Sequence, residues 1–323
     1  MGELRKLIKR MGIQRKYVFL LILRSPFDGL RAWMLANLLK AVFLCLETND
    51  GAGLWTVCVT YGLICALLFF YNGTVWSLYA AFSAKVEARL QKMMLQRIIS
   101  LPLKQVDGRF GAEWITRLNS DIQALNTMMS GPLNIPHAVV SVMNTMLSSF
   151  LMLRSSRLLF AVTWVFILPH LLINYRIVLK GMPKLKGEAQ KAMAESTSVM
   201  EPLVAEAEAI LLYDAGELMM KKCDESSRRL MKMNQSMYMR KALSNTVLHL
   251  FGCGGFFMLL LGGYSLILKG MMSLAEVMYC LQIRLSILAG MLMLLNSVNN
   301  IKANAVCVKR VNDVLEQEGT YEG

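Results

Sequence analysis

Charged residues are scarce in this 323-residue chain: Asp, Glu, Lys and Arg make up 18% of it, while hydrophobic residues make up 55%. Soluble globular proteins carry about 25% charged residues. The shortage argues against a soluble domain and, with a mean hydropathy of +0.44, indicates a membrane protein. The net charge of +13 comes from basic residues that cluster between apolar runs, so we expect no nucleic-acid partner.

Patterns for metal, redox or hydrolytic chemistry are also missing from the sequence. The seven cysteines are an odd number without a CxxC pair, and the three histidines form no HExxH pattern, which fits neither a disulfide framework nor a zinc site. Carboxylates do not cluster, and no serine or cysteine has a plausible base nearby. We therefore expect no catalytic residue and no metal site. The N-terminus lacks a small-residue cleavage site and does not read as a removed signal peptide.

The sequence does contain apolar runs long enough to span a bilayer, which takes about 20 helical residues. The apolar run KYVFLLILR is too short to span and lies between basic clusters. These features are typical of an interfacial helix on the inner leaflet. The first and sixth long runs contain basic residues. The six predicted spans are Pro26–Leu46, Leu54–Phe82, Pro132–Leu153, Leu158–Leu179, Ala242–Leu268 and Ser273–Val298.

Basic residues alternate between the connectors. Residues 1–25 hold seven Lys and Arg, the connector 83–131 holds seven, and the connector 180–241 holds eleven. The three remaining turns, ETNDGAG, RSSR and LKGMM, hold none, two and one. Because positive residues favour the cytoplasmic side, the pattern predicts an integral, multi-pass membrane protein with both termini cytoplasmic.

The two long inner connectors carry apolar residues at three- and four-residue spacing, which is typical of amphipathic helices. Twenty helical residues extend roughly 30 Å, so these helices reach well beyond the membrane. LPLKQVDGRFG interrupts the first connector and LLYDAGE interrupts the second. Short breaks at the tips of long helical arms are suited to docking a partner.

This layout resembles the membrane domain of type I ABC exporters, and local motifs carry the same resemblance. After the second span, IISLPLKQVDGRFGAEWITRLNSDIQAL is similar to the first inner-loop pattern of that family. STSVMEPLVAEAEAILLYDAGE is similar to the second inner-loop pattern, and KGMMSLAEV to the pattern before the sixth span, with Ala275 where glycine is usual. VKRVNDVLEQ is similar to the pattern that follows the sixth span.

The resemblance implies an all-α membrane protein with six transmembrane helices, long cytosolic helical extensions and an N-terminal elbow helix. Residues 1–25 would form the N-terminal segment and elbow, and residues 26–315 the six-span domain with coupling loops at 83–131 and 180–241. Residues 316–323 lie where the family's ATPase domain begins. The phosphate-binding string GxxxxGK[ST] does not occur in the sequence. We therefore expect no enzyme activity from this chain, and expect ATP and Mg to bind a partner ATPase domain or subunit.

The function implied by the resemblance is that of the membrane subunit of an ATP-driven exporter in a bacterial plasma membrane. Its expected partners are the lipid bilayer, a second identical or different transmembrane half, an ABC ATPase and a transported substrate. The other interpretation is a degenerate half-transporter that serves as a non-transporting scaffold, sensor or immunity protein. Coupling signals in both inner loops favour the transporter.

The resemblance places the contacts with the ATPase at two sets of residues, one in each inner loop. The alternative is that these residues only form solvated turns. They are Gln105, Asp107, Arg109 and Phe110 in the first loop, with Tyr213, Asp214 and Glu217 in the second. Polar groups inside a span are costly and indicate function by default. Arg284 is the main candidate for the substrate pathway, followed by Asn296, His249 and Asn174. Packing histidines and asparagines that bond across helices are the alternatives.

Overall fold

The computed structural model describes residues 2–100 and 117–316, and every regular element in those ranges is helical. This confirms the all-α expectation. Two short segments, Arg117–Asp121 and Tyr175–Gly181, are π-helical. The α-helices of the described ranges are α1 Gly2–Arg10, α2 Gln14–Arg24, α3 Phe27–Glu47, α4 Gly51–Ile99, α5 Ile122–Ser130, α6 Ile135–Ser155, α7 Arg157–Asn174, α8 Met182–Ala205, α9 Ala207–Leu212, α10 Gly216–Leu268 and α11 Leu274–Glu316.

Within the described residues, six helical stretches are long and apolar enough to cross a membrane. Each overlaps one of the six predicted spans, so the predicted number is confirmed. The first stretch joins α2 to α3 through the two residues Ser25 and Pro26. The six are Gln14–Glu47, Gly51–Ile99, Asn119–Ser155, Arg157–Ile177, Gly216–Leu268 and Leu274–Glu316.

The three turns predicted on the outer side are short. Residues 48–50 join α3 to α4, Ser156 alone separates α6 from α7, and residues 269–273 join α10 to α11.

Asp50 begins α4 as its N-cap, since its Oδ1 accepts a hydrogen bond from the Gly53 N–H over 2.8 Å. An N-cap side chain satisfies one of the amides that a helix leaves unpaired at its start.

Three side-chain hydrogen bonds fix the start of α11. The Ser273 hydroxyl accepts from the Glu276 N–H, and the Glu276 carboxylate accepts from the Ser273 N–H, each over 3.2 Å. This reciprocal pair is a capping box, and its sequence signature S-x-x-E is present as SLAE. The carboxylate of Glu47, the last residue of α3, accepts from the Ala275 N–H over 3.2 Å. The ends of α3 and α11 are therefore joined directly.

Three helices are far longer than a membrane requires. α4 has 49 residues, α10 has 53 and α11 has 43. At a rise of 1.5 Å per residue they measure about 65 to 80 Å, against a hydrocarbon core of about 30 Å. A helix that crosses the core once therefore continues well outside it, which supports the long arms predicted from the sequence.

The chain forms two compact units: residues 1–160 with 260–323, and residues 161–259. In the first unit, α11 packs against α6 and α3. A separate apolar core lies between α1, the second half of α4, α5 and the end of α11. Buried residues of α4 recur there every three or four positions, so one face of the helix is covered. The largest contributors are Leu7, Met11, Tyr79, Leu90, Met94, Ile122, Leu125, Met128 and Met129.

The second unit contains most of α7, all of α8 and α9, and most of α10. The Arg229 guanidinium lies 3.0 Å from both carboxylate oxygens of Glu195, which joins α10 to α8. The Ser244 hydroxyl donates to Asn174 Oδ1 over 2.9 Å, which joins α10 to α7. The six-residue helix α9 lies between the two long helices α8 and α10.

Candidate functional site

A polar cavity of about 230 Å³ lies between α3, α6 and α11 in the first unit. We call it the inner cavity. Six of its twelve lining residues are polar or charged, in contrast to the apolar sequence of these helices. The polar lining residues are Asp28 and Arg31 from α3, Ser141 and Asn144 from α6, and Gln282 and Ser286 from α11.

Helix α11 lines the inner cavity with one face. Its lining positions follow one another at intervals of three residues and one residue, which places them along a single stripe of a helix with 3.6 residues per turn. The opposite side of α11 is thus free to pack elsewhere. The stripe consists of Gln282, Leu285, Ser286, Ala289, Gly290 and Met293.

Helix α6 meets that stripe with small polar residues at the same spacing: Ser141, Asn144, Thr145 and Ser148, all buried. Asn144 Nδ2 donates to the backbone carbonyl of Ser286 over 3.0 Å, and the Ser148 hydroxyl donates to Asn144 Oδ1 over 3.4 Å. Within a bilayer, helices associate through small residues and interhelical hydrogen bonds because the hydrophobic effect does not drive them together. The contact between α6 and α11 is of this kind.

Two glycines allow the neighbours of α6 to approach it closely. A Cβ at Gly290 of α11 would lie 2.6 Å from Thr145 Oγ1 and 2.9 Å from Asn144 Nδ2. A Cβ at Gly29 of α3 would lie 2.8 Å from Leu147 Cδ2. Both distances are shorter than van der Waals contact, so an added Cβ at either position would force a side chain of α6 to shift. The walls of the inner cavity are therefore held at short helix separations.

The inner cavity presents both charges and neutral hydrogen-bonding groups. Arg31 Nη2 lies 3.6 Å from Asp28 Oδ1, with the Arg31 side chain 58% exposed and the Asp28 side chain 18% exposed. Ser141 is 1% exposed, and its hydroxyl has no hydrogen-bond partner among the described residues. A buried hydroxyl without a partner is costly, and a ligand with a polar group would satisfy it. The lining suits a ligand that carries both donors and acceptors.

The four predicted pathway residues are divided between the two units of the chain. Arg284 is 2% exposed on α11 and is not among the residues that line the inner cavity, while Asn296 is exposed on the same helix. Asn174 and His249 belong to the second unit, where Asn174 is buried against Ser244 and His249 is exposed. The bond from Ser244 to Asn174 is the cross-helix alternative considered above. A pathway role for these four residues stays a prediction.

Sequence patterns did not predict the polar lining of the inner cavity, apart from the basic residues in the first span, of which Arg31 is one. One signal was present in the sequence: Ser141, Asn144, Thr145 and Ser148 recur at helical spacing within an otherwise apolar span. Such a stripe indicates a buried helix contact in a membrane. Nothing local identifies Gln282 or Ser286 as its partners.

Of the predicted coupling residues, Gln105, Asp107, Arg109 and Phe110 lie outside the described residues. Those of the second loop lie in the second unit, where α9 is followed by a turn over residues 213–215. The Ala215 N–H donates to the Ile210 carbonyl over 3.0 Å, and Asp214 has a φ of 51°. Asp214 therefore adopts the left-handed conformation, which Asp tolerates better than most residues.

The side chains at this turn point into solvent. Leu212 is 80% exposed and Tyr213 is 79% exposed, and Glu217 is exposed in the first turn of α10. Exposed leucine and tyrosine side chains at the tip of two long helices form a small apolar patch with carboxylates beside it. We call Leu212, Tyr213, Asp214 and Glu217 the tip patch. Tyrosine is among the residue types that are enriched at protein interfaces and anchor them.

Comparison with protein families shows that residues 17–290 match the family described as ABC transporter transmembrane region. The matched range includes the tip patch and every polar residue that lines the inner cavity. A comparison with curated proteins found no match.

Proposed function

This chain belongs to the family of ABC transporter transmembrane regions and is an integral, multi-pass membrane subunit; we propose that it forms half of the substrate pathway of an ATP-driven exporter. The observation that carries the proposal is the inner cavity, a partly open space between three membrane-spanning helices in which six of the twelve lining residues are polar or charged. Polar and ionisable groups inside a membrane are costly and mark substrate pathways by default. Binding of a cargo in the inner cavity would explain why these costly polar groups are present.

The inner cavity favours a cargo with a compact polar group. Asp28 and Arg31 offer one charge of each sign, and Gln282 offers an amide with two donors and an acceptor. The Ser141 hydroxyl supplies a further donor and acceptor. A volume of about 230 Å³ accommodates a polar group of a few atoms and leaves the remainder of a larger cargo to the apolar lining.

The energy for transport would come from a partner ATPase that binds ATP and Mg and contacts the cytosolic tips of this chain. The tip patch supports this arrangement because it exposes an aromatic residue and two carboxylates on a short helix and turn. Closure of the ATPase would then move the long helices α8 and α10, to which the tip patch is attached. Gln105, Asp107, Arg109 and Phe110 would supply the corresponding contacts in the first loop.

The orientation follows from the distribution of basic residues. The connectors rich in Lys and Arg, and with them both termini, would face the cytoplasm of a bacterial cell. A second transmembrane half would complete the pathway. The described part of the chain exposes many large apolar side chains on α4 and α10, among them Trp55, Leu67, Phe70, Phe257 and Leu261, and lipid or that second half would cover them.

Purification of the chain from its own membranes in mild detergent tests the coupling. We expect a P-loop ATPase to co-purify in near-stoichiometric amount and Tyr213→Ala to reduce its recovery by roughly tenfold, as loss of an interface anchor does. Tyr238→Ala is the matched control, since Tyr238 is also exposed on α10, at 69%. Absence of any ATPase would favour the non-transporting scaffold, whereas equal recovery with both variants would remove Tyr213 from the proposed contact surface.

A further inference from the structure

Helix α1 separates its residues into two faces. The apolar residues Leu4, Leu7, Ile8 and Met11 are buried in the core of the first unit. The basic residues Arg5, Lys6, Lys9 and Arg10 are exposed on the other face. Because the apolar face is already covered by protein, α1 does not need a membrane to bury it. The basic face remains available for a partner.

Contacts with the end of α11 hold α1 in a defined orientation. Asn312 Nδ2 donates to the Glu3 carbonyl over 3.0 Å and to the Glu3 carboxylate over 2.9 Å. Arg10 lies 3.5 Å from Glu316. Gly12 has a φ of 65°, a conformation that favours glycine, and turns the chain from α1 into α2. The basic face is therefore presented at a fixed position relative to α2.

A groove of about 300 Å³ runs beside the basic face, lined by Gly2, Arg5, Lys6, Lys9 and Gln14. Arg15 and Lys16, both exposed, follow directly at the start of α2. The only carboxylate of residues 1–16 is that of Glu3, which lies 3.4 Å from Lys6 and also accepts from Asn312. The charge of the surface is strongly positive, so its complement is an anion.

Helix α2 places this charge at a membrane surface. Its residues Val18, Phe19 and Ile22 are exposed by 46%, 62% and 66%, whereas Tyr17 and Leu20 on the other side are buried. An exposed apolar stripe next to Lys and Arg is the pattern of a helix that lies at the boundary of headgroups and acyl chains. The groove on α1 is thus separated by only a few residues from a helix of the type that lies among the lipid headgroups.

We propose that α1 and the start of α2 form a docking surface for anionic phospholipids, with lipid phosphate groups bound between Arg5, Lys6 and Lys9. Clusters of four to eight Lys and Arg beside a membrane span attract anionic lipids, and residues 5–16 contain six. The proposal does not depend on transport, since it concerns the leaflet and not the cargo. Because α1 also contacts Asn312 and Glu316, a bound lipid stabilises the cytosolic end of α11.

Hydrogen–deuterium exchange of the full chain tests the proposal. The purified protein in mild detergent is titrated with short-chain phosphatidylglycerol, or with short-chain phosphatidylcholine as the zwitterionic comparison. We expect phosphatidylglycerol to slow exchange of the amides of residues 2–24, and phosphatidylcholine to have no such effect. Salt at 1 M shortens the screening length to about 3 Å and removes the protection.

A charge-neutralised variant identifies the residues responsible. In Arg5→Gln/Lys9→Gln/Lys16→Gln the contacts of Glu3 with Lys6 and of Arg10 with Glu316 are kept, and we expect the apparent Kd for phosphatidylglycerol to rise at least roughly tenfold. The control Lys221→Gln/Lys222→Gln/Lys232→Gln removes the same charge from exposed positions of α10 and should bind like the unmodified chain.

The proposal is overturned by equal protection from both lipids, by an unchanged Kd in the α1 variant, or by an equal loss in the control. Protection of residues 2–24 that needs an added protein or nucleic acid instead of lipid also overturns it. The rate of amide exchange of residues 2–10 in the absence of lipid shows whether α1 of the variant still packs against the first unit. If that packing is lost, the single variant Lys9→Gln replaces the triple one, with an expected rise in Kd of roughly threefold to fivefold.

Discussion

Gly290 on α11 lies against Thr145 on α6 so closely that a Cβ at position 290 would stand 2.6 Å from the threonine hydroxyl oxygen. One turn earlier on α11, the Ser286 carbonyl accepts the hydrogen bond from Asn144. The close contact and the hydrogen bond thus lie within one turn of each other on α11. Together they set the separation of α6 and α11, two walls of the inner cavity.

The first prediction concerns this close approach. Gly290→Ala should lower the free energy of unfolding by about 1–3 kcal/mol, since overpacking moves side chains or backbone. Thr145 and Asn144 have little freedom to yield, because both are buried. Thermal unfolding in detergent provides the measurement. The control is Gly73→Ala on α4, where a Cβ meets nothing within 4 Å; a loss of equal size there would contradict the steric explanation.

The second prediction concerns the capping box at the start of α11. Ser273→Ala should cost about 0.5–2 kcal/mol, because it leaves the Glu276 N–H without its side-chain acceptor. Lys40→Met removes only the contact between Lys40 and Glu276, 3.4 Å apart and partly exposed, and should cost about 0–1 kcal/mol. Thermal unfolding at low and high salt distinguishes the two variants. Salt should change the destabilisation by Lys40→Met and leave the destabilisation by Ser273→Ala unchanged.

The third prediction concerns Arg284. Replacement by leucine should lower transport and leave membrane insertion unchanged, as expected of an intramembrane charge with a functional role. The measurement uses inside-out vesicles incubated with a cell extract, and mass spectrometry compares their contents with and without ATP. Gln235→Leu, an exposed position of α10, is the control. Equal ATP-dependent accumulation in Arg284→Leu and unmodified vesicles would remove Arg284 from the pathway.

The fourth prediction concerns the anchoring of α1. Leu7 is fully buried between α1 and the rest of the first unit, and Leu7→Ala should weaken that packing by about 2–5 kcal/mol. Faster amide exchange over residues 2–10, in detergent without anionic lipid, is the expected result. Gln14→Ala, at an exposed position, should leave exchange unchanged. If Leu7→Ala affected the entire chain equally, α1 would not open as a separate element.

Several features could be predicted because their causes are local. A span requires only an uninterrupted apolar run, and an amphipathic arm requires only a repeat of three or four residues. The break near residues 211–217 was expected from YDAG, and the structure has a turn there, although the short helix Ala207–Leu212 begins a few residues earlier. The capping box at Ser273 was also readable from SLAE, but was not recognised.

The inner cavity could not be predicted because its residues come from three helices distant in sequence. Asn144 and Ser286 are 142 residues apart. The contact that holds α1 against the end of α11 is equally non-local, since Asn312 and Glu3 are 309 residues apart. Which face of α3, α6 or α11 turns toward its neighbours depends on how the helices pack. Gly29 and Gly290 decide part of that packing, yet each is an ordinary glycine in an apolar run when the sequence is considered alone.

The sequence by itself determined the six spans and the basic connectors between them, since each depends on composition and spacing along the chain, and its motifs carried the resemblance to the family. Only the tertiary structure decided that a polar cavity exists between α3, α6 and α11, that Arg284 lies outside its lining, and that α1 is held by the end of α11. The physical reason is that hydrophobic length and charge act residue by residue, whereas hydrogen bonds and close contacts between helices require a particular rotation and separation of distant segments.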